Sequence, residues 1–126
     1  MTLTREQGTT RELRKTPEAK PQRQWQRYDV TIPVCATLAI NGERIVAHGR
    51  GSDVSVGGMC LFLTRELDPG TSLLMEFLLP YSSPRIAVRG VIRNRDGFSY
   101  GIEFVNLSAH QHQMIERTCN AFELLR

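Results

Sequence analysis

Apolar residues occupy every second position of the chain over a stretch that begins just after Asp29. Six of them alternate there with residues that are mostly small or polar: Val30, Ile32, Val34, Ala36, Leu38 and Ile40. This alternation predicts a half-buried β-strand. Asn41-Gly42 follows at once, and both central residues of a type I′ turn need positive φ, which these two residue types tolerate. The pattern therefore predicts a β-hairpin whose return strand runs from about 43 to 54.

The same alternation continues beyond the first hairpin, interrupted by turn residues. The pairs and triplets that mark turns or loops are Gly57-Gly58, Asp68-Pro69-Gly70, Ser82-Ser83-Pro84 and Asp96-Gly97. The strands predicted between them cover 59–64, 72–79, 85–95 and 98–105. Six strands with short connections and no long crossover predict an antiparallel meander. Closure into a small barrel would leave it without exposed edges.

The last segment has a different period. Ser108 and Gln111 have the spacing of a capping box. Apolar residues then recur at helical intervals: Ile115, Cys119, Phe122 and Leu125. We expect an amphipathic helix that covers an open end of the barrel, with a partner-binding face as the alternative. The fold class is thus mainly β, a six-stranded antiparallel barrel with a C-terminal α-helix.

The N-terminal segment lacks any such periodicity. Residues 1–22 are polar and contain Pro17 and Pro21, which predicts a flexible leader or arm. Residues 1–28 carry seven Lys or Arg against three Glu, a surplus of four, so with a net charge of +3 for the whole chain the remainder is slightly acidic. We expect a flexible basic leader at 1–22 and one domain at 23–126. A slightly acidic barrel argues against nucleic acid as a partner.

The spacing of the cysteines and the hydropathy of the chain indicate the cellular compartment. Cys35, Cys60 and Cys119 are odd in number and widely spaced, which predicts reduced thiols rather than a disulfide framework. No apolar run approaches the roughly 18 residues of a membrane span, and the N-terminus does not resemble a secretory signal. We expect a cytoplasmic protein that does not enter the membrane.

Residues for catalysis are not grouped in the sequence. His48, His110 and His112 do not have the spacing of metal ligands on one helix face. Nucleophile-elbow, P-loop and dinucleotide-binding motifs are missing. The sequence therefore favours a protein that is not an enzyme and has no metal or cofactor.

Two short stretches carry the most specific signal. RQWQR at 23–27 places Arg23 and Arg27 at RxxxR spacing, and DVSVGG at 53–58 supplies Asp53-x-Ser55-x-x-Gly58. In this order, with a barrel pattern around them, they resemble the signature of the bacterial PilZ domain. RYDVTIPV at 27–34 and YGIEF at 100–104 are similar to the family's first and last barrel strands. The resemblance extends from about 21 to 124.

The resemblance implies a receptor for the second messenger cyclic di-GMP. It implies that Arg23 and Arg27 contact phosphate and guanine, and that Asp53, Ser55 and Gly58 hold a guanine edge. Three neighbouring residues are weaker candidates for the same ligand: Gln22, Trp25 and Gly57. Trp25 is expected either to stack on guanine or to pack on the barrel wall. Gln22 precedes the first arginine, where the family's ligand stoichiometry is set, and leaves one or two bound molecules open.

Elementary chemistry agrees with these roles. An arginine fork donates two parallel hydrogen bonds to a phosphate or to O6 and N7 of guanine, and a carboxylate accepts from N1–H and N2–H₂. Asp53 and Ser55 are two apart on one predicted strand, so we expect their side chains on the same face. We expect the arm to close over the bound ligand and so signal to an unidentified downstream protein. The alternatives are a barrel that mediates protein contacts without ligand and a small nucleic-acid-binding barrel.

Overall fold

The computed structural model of the chain describes residues 26–80 and 85–125. It contains six strands and one helix within those ranges. Their bounds are β1 Tyr28–Ile40, β2 Glu43–Val54, β3 Gly58–Phe62, β4 Ser72–Phe77, β5 Ile86–Asp96, β6 Ser99–Val105 and α1 Ala109–Leu124. The sequence pattern located every one of these elements, with strand ends displaced by one or two residues. The predicted leader at 1–22 lies outside the described residues.

The strands close into an antiparallel barrel, as the sequence predicts, but its order is not that of a meander. Around the barrel the strands follow the order β1-β2-β3-β6-β5-β4. β3 pairs with β6, and β4 pairs with both β1 and β5. The prediction of a meander is therefore wrong, because the connection at 63–71 passes across one end of the barrel instead of making a hairpin.

Tyr100 explains how that connection is held. Its side chain is fully buried, and its hydroxyl donates to the carbonyl of Arg65 while accepting the N–H of Leu67 at 3.0 Å. Leu67 is also buried among the core residues. One tyrosine from β6 thus satisfies the backbone of a segment that leaves β3 and must reach β4 on the other side.

Two of the predicted turns depend on backbone conformations that few residues tolerate. Asn41 and Gly42 have φ values of 52° and 80°, as a type I′ hairpin turn requires. The second hairpin turn is centred on Gly97-Phe98, one residue later than predicted, since Asp96 still pairs with Ser99. Gly97 has a φ of 64°, so the glycine takes the first turn position.

The helix closes the barrel at the end where β1, β3 and β5 begin and where β2, β4 and β6 finish, here called the helix end. Gln111 Nε2 donates to the carbonyl of Ala87 at 2.6 Å, and Thr118 Oγ1 lies 3.3 Å from the carbonyl oxygen of Pro80. The buried face of α1 consists of Met114, Ile115, Thr118 and Cys119. The expected role of the helix as a cover is therefore confirmed.

The start of the helix agrees with the sequence prediction, and its end does not. The capping box is present, with Gln111 N–H donating to Ser108 Oγ and Ser108 N–H donating to Gln111 Oε1, both at 3.1 Å. Leu125, predicted as part of the buried stripe, is 66% exposed because the helix ends at Leu124, beyond the barrel rim.

Burial and the nearby Glu116 carboxylate raise the pKa of the Cys119 thiol to about 11.

Candidate functional site

The predicted site residues that the structure describes all lie at the helix end of the barrel. Arg27 directly precedes β1, Asp53 is the penultimate residue of β2, and Gly58 is the first residue of β3. Ser55 and Gly57 belong to the turn that joins those two strands. Gln22, Arg23 and Trp25 fall outside the described residues. The fold therefore brings together residues that are 26 apart in sequence.

Arg27 and Asp53 form an ion pair. Asp53 Oδ1 accepts hydrogen bonds from Nε of Arg27 at 3.1 Å and from NH2 of the same guanidinium at 2.5 Å. The two side chains are 25% and 23% exposed, so the pair is partly shielded from water. No hydrogen bond within the described residues uses NH1 of Arg27 or Oδ2 of Asp53. The pair thus presents donors and an acceptor side by side.

Two irregularities of the sheet direct Asp53 towards Arg27. The register of β1 on β2 shifts between Asp29 and Ile32, and the register of β2 on β3 shifts between Gly51 and Asp53. Bulges of this kind bend a strand and change where a side chain points, and they are common at barrel rims. Asp53 lies beside both bulges, so its orientation depends on both neighbouring strands.

Two residues of this site were not singled out from the sequence. Cys60 pairs in register with Asp53, and its N–H donates to Oδ1 of that carboxylate at 3.1 Å. Asp29 faces Asp53 from β1 and is exposed. Counting back from the Asn41-Gly42 turn would have placed Val30 opposite Asp53. The bulge moves Asp29 into that position, and no sequence signal announces it.

Ser55 holds the turn together. Its side chain is 5% exposed, and its Oγ accepts the N–H groups of Gly57 and Gly58, both at 3.2 Å. The backbone N–H of Ser55 also donates to the carbonyl of Gly58 at 2.8 Å. Ser55 lies one residue beyond the end of β2 and is buried, whereas Asp53 is partly exposed, so the strand alternation behind the expected shared face does not extend to Ser55.

Gly58 is needed for the approach of β3 to β6. A Cβ at this position would lie 2.0 Å from the carbonyl oxygen of Ile102. Gly57 is fixed to the same strand, because its carbonyl accepts the N–H of Phe104 at 2.9 Å. In the segment DVSVGG, Ser55 and Gly58 therefore shape the turn, while Asp53 faces Arg27.

The residue after Arg27 connects the site to the helix. The ring of Tyr28 stacks on Phe122, with centroids 5.6 Å apart and planes inclined by 22°. The hydroxyl of Tyr28 donates to Glu123 Oε1 at 2.7 Å. Arg27 and Tyr28 are consecutive, so the residue next to the site is in direct contact with the last turns of α1.

The described residues show no grouping of three or more His, Cys, Asp or Glu side chains suited to a metal ion. None of the helices described at 26–80 and 85–125 is long and apolar enough to span a membrane. A separate open depression of about 360 Å³ lies between the start of β1 and the end of β4. It is lined by Thr31, Ile32, Pro33, Leu78, Leu79, Pro80 and Arg85, none of which was predicted as a site residue.

Comparisons with known proteins agree on the fold. A family model described as "PilZ domain" matches residues 21–121. The PilZ domain of YcgR from Escherichia coli, solved with c-di-GMP, superposes with a TM-score of 0.64 at 18% identity, covering 83% of this chain and 94% of that chain. No curated protein matches the chain.

Two longer proteins are also similar in structure. The inhibitor of motility MotI/DgrA from Bacillus subtilis gives a TM-score of 0.65 at 20% identity, over 85% of this chain and 54% of that chain. The MrkH–c-di-GMP complex from K. pneumonia gives 0.61 at 18% identity, over 84% and 54%. The chain thus spans about half the length of these two proteins, and identities this low show the shared fold.

Proposed function

Because the chain belongs to the PilZ domain family, we propose that it is a receptor for c-di-GMP and has no catalytic role. The observation that carries the proposal is the contact between Arg27 and Asp53, which joins the two motifs at the helix end of the barrel. Two structurally similar proteins, YcgR and MrkH, support it, since both are described in complex with this ligand.

The pair suits guanine because of the order of its polar atoms. Around its rim, guanine presents the acceptors N7 and O6 and then the donors N1–H and N2–H₂. The free NH1 edge of Arg27 supplies donors for the first two, and Oδ2 of Asp53 accepts from the last two. Adenine has a donor in place of O6 and an acceptor in place of N1–H, so it would face like groups at both positions.

The remaining predicted residues take supporting roles in this proposal. Arg23, four residues before Arg27, supplies a second cation for a phosphodiester. Ser55, Gly57 and Gly58 hold the turn beside which the ligand lies, and Gly57 and Gly58 add no side chain that would keep a flat base away. Gln22 and Trp25 belong to the same arm and complete the contact set.

Arm closure is the proposed signal. A ligand that binds both the arm and the barrel favours the closed state by as much as it prefers that state. Since Tyr28 follows Arg27 and contacts Phe122 and Glu123, closure would also move the last turns of α1. The helix end then offers a downstream protein a different surface in the presence of the ligand.

The test is isothermal titration of the wild-type chain with c-di-GMP and with cyclic di-AMP. We expect c-di-GMP to bind at least about tenfold more tightly, since each good bidentate contact to a base contributes roughly 1–3 kcal/mol of discrimination. Arg27→Ala and Asp53→Ala should each weaken binding by about ten- to a hundredfold. Arg44→Ala, a change to an exposed arginine at the far end of the hairpin, is the control and should bind as wild type.

Equal affinity for the two dinucleotides, or unchanged binding in both site variants, would contradict the proposed site. Absence of binding by either dinucleotide would favour a ligand-independent interaction module. Arm closure has its own readout. Trypsin cleavage within residues 1–22 should slow when c-di-GMP is present, and the Arg44→Ala variant should show the same protection. Binding of c-di-GMP without any protection from trypsin would support the receptor function but contradict closure of the arm.

A further inference from the structure

The first hairpin projects beyond the rest of the barrel. β2 pairs with β1 along its whole length, from Glu43 opposite Ile40 to Val54 opposite Tyr28. It pairs with β3 only from Arg50 onward. Within the described residues, the stretch 43–48 therefore has a strand neighbour on one side only. Six residues of extended backbone, about 20 Å of strand, leave alternate N–H and C=O groups facing outward.

Gly49 marks where this open edge ends. A Cβ at Gly49 would lie 2.3 Å from the carbonyl oxygen of Phe62, the last residue of β3, which pairs with the neighbouring Arg50. The inward side chains of Ile45 and Ala47 pack against the core. The open edge is thus fixed in strand conformation before a partner arrives, which lowers the ordering cost of binding.

The outward side chains of the open edge are partly basic and partly apolar. Arg44, Val46 and His48 alternate along it and are exposed, and Val46 is 50% accessible. Proteins commonly protect an edge with charges, proline or a bulge, and a β-branched residue at its centre does the opposite. The exposed rings of Phe62 and Phe98 lie edge to face 6.4 Å apart, beyond the Gly49 end of this stretch.

Charge indicates the kind of partner. Neither Arg44 nor Arg50 has an ion pair or hydrogen bond among residues 26–80 and 85–125. An added strand with an apolar side chain opposite Val46 has its residues two positions to either side opposite Arg44 and His48. An acidic side chain there would pair with the guanidinium of Arg44, and another would accept the imidazole N–H of His48. A second copy fits less well, since twofold antiparallel pairing centred on Val46 would set Arg44 opposite His48 with no acidic side chain facing either.

We propose that the open edge at 43–48 binds an extended segment of a partner protein by strand addition. The segment has an apolar residue flanked at both i±2 positions by Asp or Glu. Backbone hydrogen bonds hold such a strand, and alternate side chains give it specificity. This surface lies at the far end of the barrel from Arg27 and Asp53, and the inference does not depend on which ligand binds there.

The test uses a capped nine-residue peptide with valine at its centre, glutamate two residues to either side and threonine elsewhere. It is titrated into the ¹⁵N-labelled full chain, and amide shifts are followed. We expect shifts concentrated at 43–48 and slower hydrogen exchange of the outward amides there. A peptide with lysine in place of both glutamates should bind at least about fivefold more weakly.

Two variants make the result specific. Val46→Asn, which removes the apolar contact without adding charge, should weaken binding of the acidic peptide about fivefold, and Arg44→Glu by at least as much. Leu78→Asn is the matched control, since Leu78 is 49% exposed at a distant position and should leave binding unchanged. Comparable thermal midpoints of the three variants would show that each is folded.

Several results would overturn the inference. One is the absence of shifts at millimolar peptide, and another is equal response to the acidic and lysine peptides. Equal binding by Val46→Asn and Leu78→Asn would also refute it. Sedimentation that shows a dimer of the free chain, lost in Val46→Asn, would assign the edge to a second copy and so reject the acidic segment.

Discussion

Replacing Gly58, the second glycine of DVSVGG, by alanine tests whether this residue is needed for folding or only for contact with the ligand. The added Cβ would lie 2.0 Å from the carbonyl oxygen of Ile102 and 3.1 Å from its carbon. Real Cβ atoms keep more than 3.0 Å from such atoms, so β3 and β6 must separate locally by about 1 Å. No side chain can rotate to relieve the overlap, because the obstacle is backbone.

The separation has a definite cost. Overpacking of a well-packed interior typically costs about 1–3 kcal/mol. The N–H of Phe104, which donates to Gly57, spans the same gap, and the carbonyl of Gly58, which accepts the N–H of Ser55 within the turn, would be displaced with β3. Weakening these two hydrogen bonds adds about 1 kcal/mol each. We expect Gly58→Ala to lose about 3–5 kcal/mol of unfolding free energy, a large part of the 5–15 kcal/mol typical of a domain.

The assay is thermal or urea unfolding followed by circular dichroism, without ligand. A loss of this size lowers the melting temperature of a domain of about 100 residues by roughly 15–30 °C. Gly51→Ala is the control, since its Cβ would meet the sulfur of Met59 at 3.2 Å, at the end of a flexible side chain. It should cost no more than about 1 kcal/mol. Equal midpoints for the two variants would refute the reasoning, and Gly58 would then be only a ligand contact.

Three further predictions concern the site and the helix. Asp53→Ala should destabilise the chain by about 1–2 kcal/mol and by more than Arg27→Ala in urea unfolding, because Asp53 also accepts a backbone N–H; equal losses would contradict this. Tyr28→Phe keeps the stacked ring but loses the bond to Glu123, so its cost should stay within about 1 kcal/mol, against 2 kcal/mol or more for Tyr28→Ala. The pKa of Cys119 is raised from 9.0 to about 11 in the folded state, so the unfolded chain loses this proton first as pH rises. Stability should therefore be full below pH 9 and fall by on the order of 2 kcal/mol between pH 9 and 11, and a Cys119→Ala variant should lack this component.

The sequence alone determined the elements, because each depends on a local pattern. Alternation over a dozen residues, the Asn41-Gly42 turn and the capping box at Ser108 all act within a few residues of chain. The two short motifs likewise indicated the candidate ligand-binding residues. Local patterns do not state which strands pair, and so the predicted meander was wrong. The connection at 63–71 crosses the barrel because Tyr100, some 30 residues later, satisfies its backbone.

The site required the tertiary structure for a similar reason. The register of β1 on β2, shifted by a bulge, brings Arg27 beside Asp53, and a second bulge between β2 and β3 lies next to the same carboxylate. The burial of Ser55 and the contact of Gly58 with β6 also depend on residues remote in sequence. Patterns along the chain report what each residue can do, whereas the register between strands decides which neighbours it meets.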